Sequence, residues 1–170
     1  LHLHAEHGAA SRRQSGRWKR TEVDLAWIER VRAVLEDFSR VTPGAFIEVK
    51  EYGLCWHWRA ADPGAERSAT ELALHLSQVL QRTGADVLVG NRIVEVRPAG
   101  INKGLVGKLL GDIGDTPVLA AGDDSTDEEL FRGLSPDAIT IKVGAGPTAA
   151  RFSLPDVAAL REVLTQLVEE

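Results

Sequence analysis

The order of the secondary-structure signals predicts an α/β protein made of two parts. Before Arg97-Pro98, amphipathic helices and paired strands follow the order helix, hairpin, helix, hairpin, which is typical of a compact α+β unit. After it, short apolar strands alternate with helices, which indicates a parallel sheet covered on both faces. We therefore predict a core strand and its exit loop at residues 1–14, an inserted α+β cap at 15–98, and the C-terminal part of an α/β core at 99–170.

The helices of the first part are predicted from apolar residues that recur at helical spacing. Residues 1–9 have the alternation of a strand exit, and the polar, basic residues 11–22 are predicted to form a loop. The first helix is expected at residues 24–41, which end before the turn signal Thr42-Pro43-Gly44. The second is expected at residues 69–82, and Thr83-Gly84 ends it.

The strands of the first part are predicted to form two hairpins. Turns are expected at Tyr52-Gly53 and Gly90-Asn91, because Gly and Asn tolerate the positive φ of tight turns. The predicted strands are residues 45–51, 54–59, 86–89 and 92–96. Glu48 and Lys50 fall on one face of the first strand, since alternate residues of a strand point to the same side.

The second part is predicted to alternate between helices and strands. The predicted elements are helices at 103–110, 127–134 and 154–168 and strands at 118–121 and 138–143. Each strand is short and largely apolar, as expected for strands that are buried on both faces.

The composition excludes several classes of protein. The 170 residues carry 20 Lys and Arg against 25 Asp and Glu, and this net charge of −5 argues against a general nucleic-acid or anionic-membrane binder. The single cysteine allows no internal disulfide, and no apolar run approaches the roughly 18 residues of a membrane span. We expect a globular cytoplasmic protein. The sequence has no methionine and begins with Leu1, so we also expect a piece of a longer chain.

The end of the strand at 118–121 is the most informative feature for chemistry. Gly122 is followed by Asp123, Asp124 and Asp127 before a helix, and ligands of open α/β sheets bind at the carboxyl ends of strands. Hard carboxylates at such a place suit Mg²⁺. The alternative is that Asp124 to Asp127 form a turn and a helix cap, and the spacing leaves both interpretations open.

Lys103 opens a helix directly after a loop. The helix dipole disfavours a lysine there, so this side chain is expected to have an anionic partner, such as a phosphate or the carboxylates just described. The alternative is a solvated lysine.

Several short motifs, taken in chain order, point to a family. They are His7-Gly8-Ala9, Glu48-Val49-Lys50, His57-Trp58-Arg59, Val94 to Pro98, Lys103-Gly104, Gly122 to Glu128 and Lys142-Val143-Gly144. Together they resemble the haloacid dehalogenase superfamily of Mg²⁺ phosphatases, and more closely the trehalose-6-phosphate phosphatases. The resemblance implies a haloacid dehalogenase-like Rossmannoid core with a cap, and hydrolysis of trehalose 6-phosphate in trehalose biosynthesis.

The resemblance also implies roles for individual residues. Asp123 would ligate Mg²⁺ directly, and Asp124 and Asp127 would orient its waters or neighbouring ligands. Lys103 would hold the phosphate and the nucleophile. In the cap, Glu48 and Lys50 resemble the sugar-recognition pair of the family; the alternative for them is an exposed ion pair worth less than about 1 kcal/mol. His57 and Arg59 are further candidates for substrate contact.

One family motif is absent from the sequence. In such phosphatases the DxDGT motif supplies the aspartate that attacks phosphorus and the aspartate that protonates the leaving sugar oxygen, and these 170 residues contain no Asp-x-Asp. We therefore expect the parent protein to be the phosphatase and this chain alone to be inactive. The alternatives are a non-catalytic sugar-phosphate-binding domain fused to or associated with a trehalose-6-phosphate synthase, or a phosphatase for another sugar phosphate. A DxDGT motif upstream of Leu1 would favour the active parent.

Two other features are expected to have structural roles. His2, His4 and His7 lack a second cluster that would complete a zinc site, so packing at the strand exit is expected for them. Cys55 is expected to be a small buried hydrophobe.

Overall fold

The computed structural model describes residues 3–12, 16–111 and 117–169. The chain forms two compact units, Leu1–Ile101 and Asn102–Glu170. Across the described residues, no helix is both long and apolar enough to cross a membrane. The predicted roles of His2 and the predicted strand exit at residues 1 and 2 lie outside the described residues.

The described residues of the first unit form two antiparallel sheets and two α-helices, together with a 3-10 turn at Glu6–Gly8. Its elements are β1 (Leu3–Ala5), β2 (Ala10–Arg12), β3 (Lys19–Arg20), α1 (Ile28–Val41), β4 (Phe46–Val49), β5 (Leu54–His57), α2 (Ala65–Val79), β6 (Ala85–Gly90) and β7 (Ile93–Pro98). The larger sheet has the strand order β4-β5-β7-β6, and the smaller one the order β1-β2-β3. The predicted helix, hairpin, helix, hairpin order is thereby confirmed.

The two faces of the larger sheet differ in character, because alternate residues of each strand point to opposite sides. One face packs against both helices, and its fully buried residues are Leu54, Trp56, Val94 and Val96. The helices contribute their apolar stripes, which include Val31, Leu35, Leu72 and Leu76. Cross-strand register gives the other face Glu48, Cys55, His57, Glu95 and Arg97. This polar face is the one that carries the candidate residues of the first unit.

Local hydrogen bonds explain where the element ends differ from the predictions. Helix α1 begins at Ile28 rather than at residue 24, because Asp24 forms a turn in which its carboxylate accepts from the N–H of Ala26. Helix α2 begins at Ala65, four residues earlier than expected. The second hairpin turns at Asn91-Arg92 rather than at Gly90-Asn91, since Gly90 pairs with Ile93 and Arg92 adopts the positive φ of 59°.

The loop prediction for residues 11–22 is wrong at two places. Strand β2 ends and strand β3 lies inside this range, and the two strands pair with each other. Both residues of β3 are exposed, so no apolar alternation marks the strand in the sequence.

The second unit, over residues 102–111 and 117–169, is a parallel sheet with three α-helices. Its elements are α3 (Lys103–Gly111), β8 (Leu119–Gly122), α4 (Ser125–Gly133), β9 (Ile139–Val143), β10 (Phe152–Leu154) and α5 (Val157–Glu169). The strand order is β10-β9-β8, with parallel pairs throughout, as the alternating pattern predicted. The short strand β10 was not predicted, because its three residues do not show a period. Helix α5 accordingly begins at Val157 rather than at 154.

Candidate functional site

The N-terminus of α4 is capped by two of the aspartates that are candidate metal-site residues. Asp124 is the N-cap residue, and its Oδ1 accepts from the N–H of Thr126 at 2.8 Å and of Asp127 at 2.9 Å. Asp127 Oδ2 accepts in return from the N–H of Asp123 at 2.9 Å and of Asp124 at 3.1 Å. This reciprocal arrangement is a capping box, and it confirms the helix-cap interpretation of this stretch. The role of these aspartates at a metal stays a prediction.

Lys103 has the anionic partner that its position at a helix start led us to expect. Its Nζ donates to Asp127 Oδ1 at 2.7 Å and lies 3.7 Å from Asp124 Oδ1. Burial alone would raise the pKa of Asp124, but hydrogen bonds from Thr126 and Asp127 and the charge of Lys103 lower it to about 2. Asp124 is therefore ionised at neutral pH, and Lys103 lies among negative charges rather than in open solvent.

Glycines allow the close approach of the elements that hold this site. A Cβ at Gly122 would lie 2.2 Å from Asp127 Cγ, so only glycine leaves room for this carboxylate at the strand end. A Cβ at Gly133 would lie 2.3 Å from the carbonyl oxygen of Gly104. The absence of a side chain at Gly133 therefore allows α3 and α4 to pack closely at this point. The packing of these two helices brings Lys103 within reach of Asp127.

Asp123 differs from the other two aspartates, because its side chain has no hydrogen-bond or ion-pair partner among the described residues. Its side chain is exposed, and no hydrogen bond or ion pair to its carboxylate is found in the described part of the chain. Mg²⁺ prefers a few carboxylate oxygens together with water and phosphate, so the donor chemistry of Asp123 fits a direct ligand. Asp127, with both oxygens engaged, fits a residue that orients its neighbours. Among the described residues, the three aspartates do not bring one oxygen each to within 4.8 Å of one another.

A buried charged pair beneath Asp123 was not predicted as part of the site. Lys142 on β9 donates to the backbone carbonyl of Asp123 at 2.7 Å and lies 4.0 Å from Glu128 Oε1. Glu128 also accepts from the Thr148 hydroxyl at 2.8 Å and from the N–H of Ala149 at 2.6 Å. The signal in the sequence was a lysine inside an otherwise apolar strand, because charged residues are rarely buried without partners. Through the hydrogen bond from Lys142, this pair holds the backbone at Asp123 in place.

In the first unit, Glu48 and His57 come together on the polar face of the larger sheet. His57 Nε2 lies 2.7 Å from Glu48 Oε2, and the Phe46 ring stacks on the His57 ring with centroids 4.6 Å apart. Both side chains are partly open to solvent, with 48% of Glu48 and 24% of His57 exposed. The stacked ring and the carboxylate hold the imidazole in one orientation.

Lys50 pairs with Glu95 rather than with Glu48. Its Nζ donates to Glu95 Oε1 at 2.5 Å, and His7 Nε2 lies 3.4 Å from the same oxygen. Burial alone would raise the pKa of Glu95, but the hydrogen bonds from His7 and Lys50 lower it to about 2. Burial alone would lower the pKa of Lys50, whereas the hydrogen bond and charge of Glu95 raise it above its ordinary value. The pair is therefore ionised, and the alternative of an exposed ion pair between Glu48 and Lys50 is wrong.

Glu6 also joins the first residues of the chain to this face. Its carboxylate accepts from the N–H of Glu51 at 3.0 Å and of Tyr52 at 2.8 Å. Neither Glu6 nor Glu95 was predicted as a functional residue, although Glu95 lies within the Val94 to Pro98 motif. These contacts join residues more than 40 positions apart, and nothing in the local sequence signals them.

The remaining candidates of the first unit have different surroundings. Arg59 lies beyond the end of β5, where its Nη2 donates to the carbonyl oxygen of Asn91 at 3.4 Å, so it is placed at the hairpin turn. Cys55 is 1% exposed, as expected for a small buried hydrophobe. Burial raises the pKa of its thiol to about 12.

Comparison with known proteins finds phosphatases among the proteins that this chain resembles. A family model described as trehalose-phosphatase matches residues 1–158. The chain is 44% identical over 168 residues to the bifunctional trehalose-6-phosphate synthase/phosphatase of Thermoproteus tenax, covering 97% of this chain and 23% of that protein. The chain thus spans less than a quarter of the length of that curated relative.

Solved structures agree with the predicted fold class. The C-terminal domain of trehalose-6-phosphate phosphatase from Candida albicans superposes with a TM-score of 0.88 at 26% identity, over 96% of this chain and 69% of that one. A haloacid dehalogenase-like hydrolase from Bacteroides thetaiotaomicron gives a TM-score of 0.60 at 15% identity, over 95% of this chain and 74% of that one. The predicted haloacid dehalogenase-like α/β fold is confirmed.

Proposed function

Because the chain belongs to the trehalose-phosphatase family, we propose that it supplies the sugar-recognition and metal-side residues of a Mg²⁺-dependent enzyme that hydrolyses trehalose 6-phosphate to trehalose and phosphate. The observation that carries the proposal is the arrangement at the start of α4. There Lys103 and Asp127 form an ion pair close to the exposed Asp123, which directly follows the carboxyl end of β8. That end of a parallel strand is where open α/β sheets bind their ligands.

On the phosphate side, each residue has a distinct task. Asp123 would hold Mg²⁺, while the cap hydrogen bonds of Asp124 and Asp127 fix the backbone that presents it. Bound there, Mg²⁺ would supply electrostatic stabilisation of the phosphoryl oxygens. The ammonium of Lys103, which Asp127 Oδ1 holds at 2.7 Å, would bind a phosphate oxygen.

On the sugar side, hydroxyl groups need both acceptors and donors. The Glu48 carboxylate accepts hydrogen bonds and the Lys50 ammonium donates them, which is the combination that a polyol requires. Glu95 holds Lys50 in place, and Phe46 and Glu48 orient the His57 ring. Arg59, which lies just beyond the end of β5, would also contact the substrate. Preorganised side chains of this kind lower the cost of ordering the site on binding.

The 170 residues alone are expected to bind substrate without hydrolysing it. They contain no Asp-x-Asp, and therefore no pair that could attack phosphorus and protonate the leaving oxygen as the family motif does. The second candidate function is that of a non-catalytic accessory domain of a trehalose-6-phosphate synthase. This candidate is supported by the relative from Thermoproteus tenax, whose name describes a synthase and a phosphatase in one protein. Lys103 and the exposed carboxylate of Asp123 favour the catalytic parent, because a module without chemistry needs neither of them.

The sugar side is tested by calorimetric titration of the 170-residue chain with trehalose 6-phosphate and with glucose 6-phosphate. We expect Glu48→Ala and Lys50→Ala each to weaken binding of trehalose 6-phosphate about tenfold or more, the effect of losing one to two kcal/mol of polar contact. Glu71→Ala and Lys108→Ala, which remove exposed charges of the same sign, are the matched controls. An unchanged affinity in the Glu48 and Lys50 variants would exclude these residues from sugar recognition.

The phosphate side is tested on the full-length protein by release of inorganic phosphate. We expect Mg²⁺-dependent release from trehalose 6-phosphate that Asp123→Asn abolishes while substrate binding persists. Full activity of Asp123→Asn would contradict the metal role. Mg²⁺-dependent release by the 170-residue chain itself would contradict the expectation that this chain is inactive.

A further inference from the structure

Three residues on the polar face of the larger sheet bring together a carboxylate, a thiol and an imidazole. Glu48 on β4 is the cross-strand partner of Cys55 on β5, and His57 follows two residues later on the same face. One ligand atom of each side chain lies within 4.8 Å of the other two. In the described part of the chain, no other group of three such residues meets this condition.

The spacing of these atoms is close to that of a metal site. Tetrahedral ligands at the usual Zn–N, Zn–O and Zn–S distances lie about 3.3 to 3.6 Å from one another. His57 Nε2 and Glu48 Oε2 are 2.7 Å apart, and Cys55 Sγ lies within 4.8 Å of a ligand atom of each, so side-chain shifts on the order of 1 Å would bring the three atoms to this spacing. Cys55 is buried at the floor of the cluster, and Glu48 and His57 provide its open side.

We propose that Glu48, Cys55 and His57 form a binding site for Zn²⁺ or another thiophilic divalent cation, with water in the fourth position. The ligand set excludes Mg²⁺, which prefers oxygen alone, and favours Zn²⁺, which takes sulfur and imidazole nitrogen together with a carboxylate. The thiol proton is released to solvent as the metal–sulfur bond forms. The nearby ammonium of Lys50 does not leave a net positive charge against the metal, because Glu95 neutralises it.

Occupancy of this site would inhibit sugar binding. Glu48 and His57 cannot ligate a metal and contact a sugar hydroxyl with the same atoms, so the metal ion and the sugar compete for them. This competition rests on the proposed function, whereas the metal site itself does not. Zn²⁺ would inhibit by binding to these residues of the predicted cap, residues 15–98, and not by displacing Mg²⁺ at Asp123.

Titration of the 170-residue chain with Co²⁺ tests the site directly. Cys55 is the single cysteine of the sequence, so a thiolate-to-cobalt charge-transfer band in the near ultraviolet can arise from no other residue. We expect this band, together with the intense visible bands of tetrahedral Co²⁺, and we expect Zn²⁺ to remove both by displacement. Cys55→Ser should abolish the charge-transfer band, and His57→Ala should weaken Co²⁺ binding about tenfold or more. His75→Ala, which removes an exposed histidine of α2, should change neither.

The outcomes separate this site from other modes of binding. Co²⁺ binding without a charge-transfer band, or with a band that survives in Cys55→Ser, would overturn the proposal. Tryptophan fluorescence shows whether each variant is folded, because Trp56 lies in the core behind Cys55. If trehalose 6-phosphate does not bind the chain at all, the sugar role fails while the cobalt spectrum still decides the metal site. If it binds, Zn²⁺ should weaken its affinity in the original chain and not in Cys55→Ser.

Discussion

The buried Glu95 carboxylate should make the stability of the first unit depend on pH in a way that one substitution removes. Hydrogen bonds from Lys50 and His7 lower the pKa of Glu95 from 4.5 to about 2. A difference of this size between folded and unfolded chain corresponds to about 3 kcal/mol of unfolding free energy at neutral pH. We expect Glu95→Gln to lower the unfolding free energy by about this amount at pH 7.

The sign of the pH dependence follows from the direction of the pKa change. The folded chain holds the Glu95 proton less tightly than the unfolded chain does, so the contribution is complete above pH 4.5 and is lost as the pH falls toward 2. At pH 3 roughly 2 of the 3 kcal/mol should already be lost. The difference between the original chain and Glu95→Gln should therefore shrink from about 3 kcal/mol at pH 7 to about 1 kcal/mol at pH 3.

Urea unfolding monitored by tryptophan fluorescence measures this difference. All four tryptophans, Trp18, Trp27, Trp56 and Trp58, belong to the first unit, so the signal reports the unit that contains Glu95. The control is Glu71→Gln, which removes an exposed carboxylate that pairs with Arg67 across one helical turn and should change stability by less than about 1 kcal/mol. A difference for Glu95→Gln that stays constant between pH 7 and pH 3 would refute the reasoning.

Three further predictions concern the second unit. Asp124→Ala removes the N-cap of α4 and should lower the free energy of unfolding by about 1 kcal/mol. Thermal unfolding monitored by circular dichroism should show a lower midpoint temperature, and an unchanged midpoint would contradict the capping role. Gly122→Ala places a Cβ on Asp127 and should destabilise the chain by more than that, whereas Gly64→Ala, where nothing lies within 4 Å, should be tolerated. Lys142→Met removes the hydrogen bond to the carbonyl of Asp123 and should cost about 1 to 3 kcal/mol; hydrogen exchange after β8 should speed up, and equal exchange rates would count against it.

The elements were predictable from sequence where burial imposes a period. The stripes of α1 and α2 and the alternation in β5 and β7 face one apolar core, so their spacing reveals both the type of element and its buried side. Strands β3 and β10 were missed because neither contains a buried residue and each is too short to show a period. The ends of α1 and of the second hairpin shifted because Asp24 and Arg92 make local turns that apolar spacing does not report.

Candidate site residues can be named from the sequence, but the pairs that they form cannot. Glu48 and Lys50 fall on one face of the strand predicted at 45–51, which suggests that they pair, yet Lys50 contacts Glu95 and Glu48 contacts His57. The reason is register: β5 lies between β4 and β7, so which charges meet depends on cross-strand alignment between residues up to 45 positions apart. Local spacing carries no information about that alignment.

At the start of α4 the cap and the metal interpretations are compatible, because they use different atoms. Asp124 Oδ1 and Asp127 Oδ2 satisfy backbone N–H groups that would otherwise lack partners at the helix start. Those bonds, together with Lys142 on the Asp123 carbonyl, fix the backbone without engaging the Asp123 carboxylate. A loop held in this way presents the Asp123 side chain in a defined position. The same hydrogen bonds that stabilise the helix thus preorganise the proposed ligand, which is the condition that a metal-binding phosphatase site has to meet.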